Sequence, residues 1–148
     1  MTDYRPRLFA SDAAVARVGE GLLERSLARE EWTHEAHLAA TAYLLLRYPE
    51  IDLDEELPRL IRAYNESVGG VNSDTAGYHD TITRVYLHGV RLFLSEARLS
   101  EPLHGLVNQL LLSPVGRRDW PLRFYSRDHL LSVAARRNFV PPDVAALP

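Results

Sequence analysis

The chain has no cysteine and no lysine: of its 148 residues 17 are basic, and every one of them is arginine. The first absence excludes a thiolate nucleophile, a disulfide, an iron–sulfur cluster and a zinc site built on sulfur. The second excludes Schiff-base chemistry, pyridoxal phosphate held through lysine, and the lysine of a phosphate-binding P-loop. A long hydrophobic run is also missing. The longest, Leu38 to Leu46, stops at Arg47, too short for a bilayer. Nothing between Met1 and Phe9 resembles the apolar region of a signal peptide, so the expected compartment is the cytoplasm. Charge is nearly balanced, 20 acidic side chains giving a formal net charge of -3, which argues against a concentrated nucleic-acid footprint. Arg117–Arg118 and Arg136–Arg137, the only adjacent basic pairs, read as solvated faces.

What is present is an ordinary globular composition, 46% hydrophobic and 25% charged, enough for one domain with a real core. The expected unit is a single helical domain over residues 1–148, with its core at about 11–137. Apolar periodicity is helical throughout. A first helix starts near Ser11 or Asp12 and turns Val15, Val18, Leu22 and Leu23 inward. A second, from about Thr33 to Tyr48, is apolar nearly all round after Glu35, which makes it the central helix. A third follows Asp52 or Asp54, carries a stripe at Leu57, Leu60, Ile61, Tyr64 and Val68, and ends at Gly69–Gly70. Pro58 is tolerable there only within about the first turn. The fourth spans roughly Tyr78 to Glu96, and the fifth starts at Pro102. Turns from Pro114 to Pro121 and short helices across Arg127 to Arg137, capped by Ser126 and Ser132, complete an all-α bundle with an irregular C-terminal wrap.

The polar residues converge at one end of this bundle. His34 and His37 share a face of the second helix that continues into the core positions Thr41, Leu44 and Leu45. His79 heads an inward stripe of the fourth helix through Ile82 and Tyr86, with Thr83 one turn below it. A short turn makes helices two and three antiparallel, so helices two and four run parallel and their N-termini meet the end of helix three. His34, His37, Asn65, the Gly69–Gly70 loop and His79 are thus expected as neighbours.

Three neutral imidazoles suit a divalent transition metal such as zinc, iron, copper or nickel, with positions left for water or substrate. Helix N-termini aimed at the site oppose protonation and favour the neutral form. Asp74, Asp80 and Tyr78 are candidate fourth ligands or orienting partners. The same histidines have a blander reading as a partly buried polar group bonded to backbone, and the spacing is not the zincin His-Glu-x-x-His pattern. His88, His104 and His129 have no such company and read as surface or structural residues. Asn65 either bonds a ligand or ties down the loop that follows; Tyr64 and Tyr86 read as core aromatics with a satisfied hydroxyl. Arg127 or Arg136 offers a guanidinium that could reach an anionic substrate.

Taken together, Trp32-Thr33-His34 with His37-Leu38, Tyr64-Asn65, Tyr78-His79-Asp80-Thr81-Ile82-Thr83, and Tyr125-Ser126 through Ser132 to Ala135-Arg136 resemble a group of small all-helical bacterial proteins of unassigned function. The group's pattern runs Trp-Thr-His-x-x-His-Leu, then Tyr-His-Glu-Thr-x-Thr, then Tyr-Ser…Ser…Ala-Arg. The resemblance spans roughly residues 32–143 and lies in the ordered combination. Asp80 stands where the pattern has glutamate, which keeps a carboxylate but shortens its reach. The resemblance implies where a site lies and leaves its chemistry open.

The leading expectation is a small metalloenzyme acting on a small molecule, with His34, His37 and His79 holding one divalent metal. Asp80 or Glu35 would assist proton transfer, while Asn65, Tyr64, Thr83 and Arg127 would contact substrate. Hydrolysis, isomerisation and oxygen chemistry all fit. The alternatives are a metal-free pocket in which histidine works as acid or base, and a non-catalytic ligand-binding or sensor bundle. Neither nucleic acid nor membrane is an expected partner. A homodimer is compatible with so small an α-domain, although no exposed heptad seam supports one.

Overall fold

In the computed structural model, which describes residues 5–148, Ser11 is extended and accepts the Ala14 N–H, starting α1 (Asp12–Glu24). A 3-10 turn at Arg29–Glu31 leads to α2 (His34–Arg47), capped by Thr33 through the Ala36 N–H. As its all-round apolar pattern requires, α2 is the central helix: Leu38, Ala39, Ala40, Ala42 and Leu44 are all buried. It packs against α1, α4 (Asp80–Glu96) and α5 (Leu103–Leu112). Gly19 permits the close approach of α1, because a Cβ there would lie 2.1 Å from the Tyr43 ring.

Asp52 caps α3 (Leu53–Ser67), and its apolar stripe buries Leu57, Ile61 and Tyr64. Pro58 falls beyond the first turn, against the sequence expectation. Proline has no N–H for the carbonyl four residues back, so that of Asp54 is left without its helical donor. Arg84 on α4 supplies one: its Nη1 donates to the Asp54 carbonyl at 3.1 Å while its Nε donates to the Asp80 carboxylate at 2.9 Å. The unusual proline is thus matched by a tertiary contact. Arg84→Met should therefore cost about 1 kcal/mol of stability, measured by urea unfolding, because both acceptors lose a donor.

Two 3-10 turns, Pro114–Gly116 and Trp120–Arg123, follow α5, and then the short helices α6 (Arg127–Leu130) and α7 (Val133–Arg137). Ser126 and Ser132 cap these two as the sequence indicates. The C-terminal segment wraps the start of α4. Thr81, fully buried, donates to the Ala135 carbonyl at 2.7 Å and accepts the Val140 N–H at 3.1 Å, while Tyr125 donates to the Val140 carbonyl at 2.6 Å. Phe9, Val140 and Leu147 also pack on the core, which therefore reaches slightly past the expected limits. The fold is all-α, with no strand among the described residues. No helix among them is long and apolar enough to cross a membrane.

Candidate functional site

The starts of α2 and α4, the second half of α3 and the loop over residues 69–79 enclose a cavity of about 570 Å³. Leu38, Ile61, Val68 and Ile82 give it apolar walls; Trp32, Tyr64 and Tyr86 add aromatic ones. The loop is held from both sides. Asn72 Oδ1 accepts from the Asn65 amide at 3.1 Å and from the Tyr78 N–H at 3.0 Å, and its amide donates to the Arg62 carbonyl at 3.1 Å. From the C-terminal wrap, Arg137 grips Asp74 through two hydrogen bonds of 2.7 and 2.6 Å. Arg136 Nη1 donates to the Gly77 carbonyl at 2.8 Å. Gly77 sits at φ 79, a left-handed conformation that glycine adopts without strain.

His34, His37 and His79 do line this one cavity, with Asn65, Tyr64 and Thr83 beside them. The expected metal centre is nevertheless wrong: among the described residues no group of three or more His, Cys, Asp or Glu side chains could hold a metal ion. The reason is visible at His79, which is the N-cap of α4 and not a residue of its first turn. Its Nδ1 accepts the Ile82 N–H at 3.1 Å, so Nε2 carries the proton and donates to the Leu130 carbonyl at 2.9 Å. Both nitrogens are engaged by backbone. His34 Nε2 donates to the Gly116 carbonyl at 2.9 Å, its ring edge-on to Tyr86 at 5.5 Å. These two imidazoles tie the later chain to the starts of α2 and α4.

His37 differs. No described residue hydrogen-bonds its ring, whose only ring contact is with Trp32, centroids 3.9 Å apart; Trp32 in turn lies 5.1 Å from Tyr64. Every fully buried side-chain nitrogen or oxygen among the described residues has a partner, so the His37 nitrogens must open onto the cavity. Enclosure away from bulk water, reinforced by neighbouring His34, lowers its pKa to about 3. Burial likewise lowers His34 and His79, in part offset by their carbonyl partners. All three are neutral at physiological pH.

The remaining candidates separate cleanly. Asp80 lies outside the cavity lining, buried, accepting from Tyr78 at 2.7 Å and from Arg84. Burial and this carboxylate push the Tyr78 phenol well above its ordinary range. Glu35 is also buried outside the lining, with Arg118 at 3.9 Å. Arg127 is exposed and absent from the lining, and Asp74 is taken by Arg137. Tyr64 donates to the Leu27 carbonyl at 2.9 Å and the Ala28 carbonyl at 3.2 Å, and burial raises its pKa. Asn65 ties down the loop through its amide. Sequence reasoning placed Thr41 on the His34–His37 face only as a core position, and nothing marked Arg29; both line the cavity.

No family model matches the chain, and neither a curated protein nor a solved structure does. The functional reading therefore rests on the cavity itself.

Proposed function

We propose that the protein binds a small organic molecule in this cavity, with the neutral imidazole of His37 as its polar anchor. One observation carries the reading: His37 presents nitrogens to a partly open cavity in which no described residue hydrogen-bonds them. A neutral imidazole there supplies one donor and one acceptor. The size falls within the ~300–1,000 Å³ of small-molecule sites, and apolar walls with few polar groups are their usual make-up. Binding is favoured over general-base catalysis by His37. A base titrating at about 3 lies far below the neutral range in which proton abstraction is efficient.

The test is a fragment library screened by ligand-observed NMR against wild type and His37→Phe, each checked for folding by thermal unfolding. Fragments held through His37 should bind the variant about tenfold more weakly, the equivalent of one buried hydrogen bond. An absence of hits, or hits held equally by a folded His37→Phe variant, would remove the basis for the reading.

A further inference from the structure

The cavity's charge pattern narrows the ligand class, on the basis of the binding reading just given. Among the described residues that line it there is no aspartate or glutamate, and Arg29 is the single formally charged side chain. The nearest candidate carboxylates are accounted for elsewhere. Asp80 accepts from Tyr78 and Arg84, Glu35 lies by Arg118, and Glu31 is held by Arg17 in two hydrogen bonds of 2.8 and 2.9 Å. Glu30 adjoins Arg29 in sequence but does not line the cavity. No described residue forms an ion pair or hydrogen bond with the Arg29 guanidinium. A planar guanidinium beside an apolar cavity, with a neutral N–H donor available at His37, matches a carboxylate. A cation would find no carboxylate in the lining and one like charge, at Arg29; Glu30 and Glu31 act on Tyr64 only from outside it. Trp32, whose ring lies against His37, together with Tyr64, Ile61 and Ile82 offers a surface for an aromatic or branched hydrocarbon body.

We infer that the ligand is a small amphipathic carboxylate, its anionic end held by Arg29 and His37 and its apolar body lying against the Trp32–Tyr64 wall.

Three probes of nearly equal shape separate charge from shape: 1-naphthylacetate, 1-naphthylacetamide and 2-(1-naphthyl)ethylamine, each titrated calorimetrically into the full chain. The acetate should bind at least about fivefold more tightly than the other two, the scale of one partly exposed ion pair. Arg29→Gln should lower the acetate affinity to that of the acetamide and so erase the preference. Arg29 is exposed and its side chain has no hydrogen-bond or ion-pair partner among the described residues, so the variant should fold as wild type does. If the amide or amine binds as tightly as the acetate, or the preference survives in Arg29→Gln, the carboxylate assignment falls and the ligand-binding reading stands. If none of the three binds wild type at millimolar concentration, the carboxylate assignment falls. The fragment screen then decides the broader reading independently.

Discussion

Replacing His79 with alanine is expected to destabilise the protein by about 2–4 kcal/mol, combining a lost helix cap and a buried carbonyl stripped of its donor. The imidazole does two jobs at once: Nδ1 receives the Ile82 N–H at the start of α4, and Nε2–H satisfies the Leu130 carbonyl at the end of α6. Alanine performs neither. His79→Asn separates the contributions, because asparagine is a favourable cap and is too short to span both partners. It should recover about 1 kcal/mol of the loss. Urea unfolding of the three proteins measures the series. An alanine variant as stable as wild type would show that neither hydrogen bond contributes to the folded state.

Mild acid should weaken the fold through His37. Its pKa is about 3 in the folded chain against 6.5 for an ordinary histidine. Between those values the unfolded chain binds a proton that the folded chain does not, so stability is fully present above 6.5 and declines as pH falls toward 3. Going from about pH 7 to about pH 5, this one group should remove roughly 2 kcal/mol. His34 and His79, lowered mainly by burial, add to the loss with the same sign. The carboxylates of Asp12, Asp54, Asp74, Asp119 and Asp143 are held below 3.8 by hydrogen-bonded partners, and so lose their contribution at lower pH. His37→Phe should accordingly flatten the upper part of the profile and leave the lower part in place. A profile unchanged by that substitution would mean that the ring is not enclosed as described.

Much of the architecture was legible because local signals agreed with the packing. The helix starts were legible to within two residues, at Ser11 or Asp12, at Thr33, and at Asp52 or Asp54, and α2 declared its central position by lacking a polar face beyond Glu35. The meeting of His34, His37, Asn65 and His79 around one space followed from loop length and helix direction. What spacing could not reveal was the later chain. The carbonyls of Gly116 and Leu130, which engage His34 and His79, lie 82 and 51 residues away in irregular segments without periodicity. That is why three convergent imidazoles looked like ligands for a metal when two are bonded to backbone. Pro58 misled for a related reason: the Arg84 contact that makes it acceptable comes from another helix. The cap of α4 was missed because histidine is not among the favoured capping residues, so the helix was started at Tyr78.

The loop forming one side of the cavity is fastened by Arg136 and Arg137, whose own segment is docked on Thr81. Occupancy and attachment of the tail are therefore thermodynamically reciprocal: a molecule that needs the loop in place tightens the hold of α7, and loosening α7 weakens that molecule's affinity by the same factor. The outermost of these fastenings is the Asp74–Arg137 pair, which lies at the surface and within reach of solvent ions.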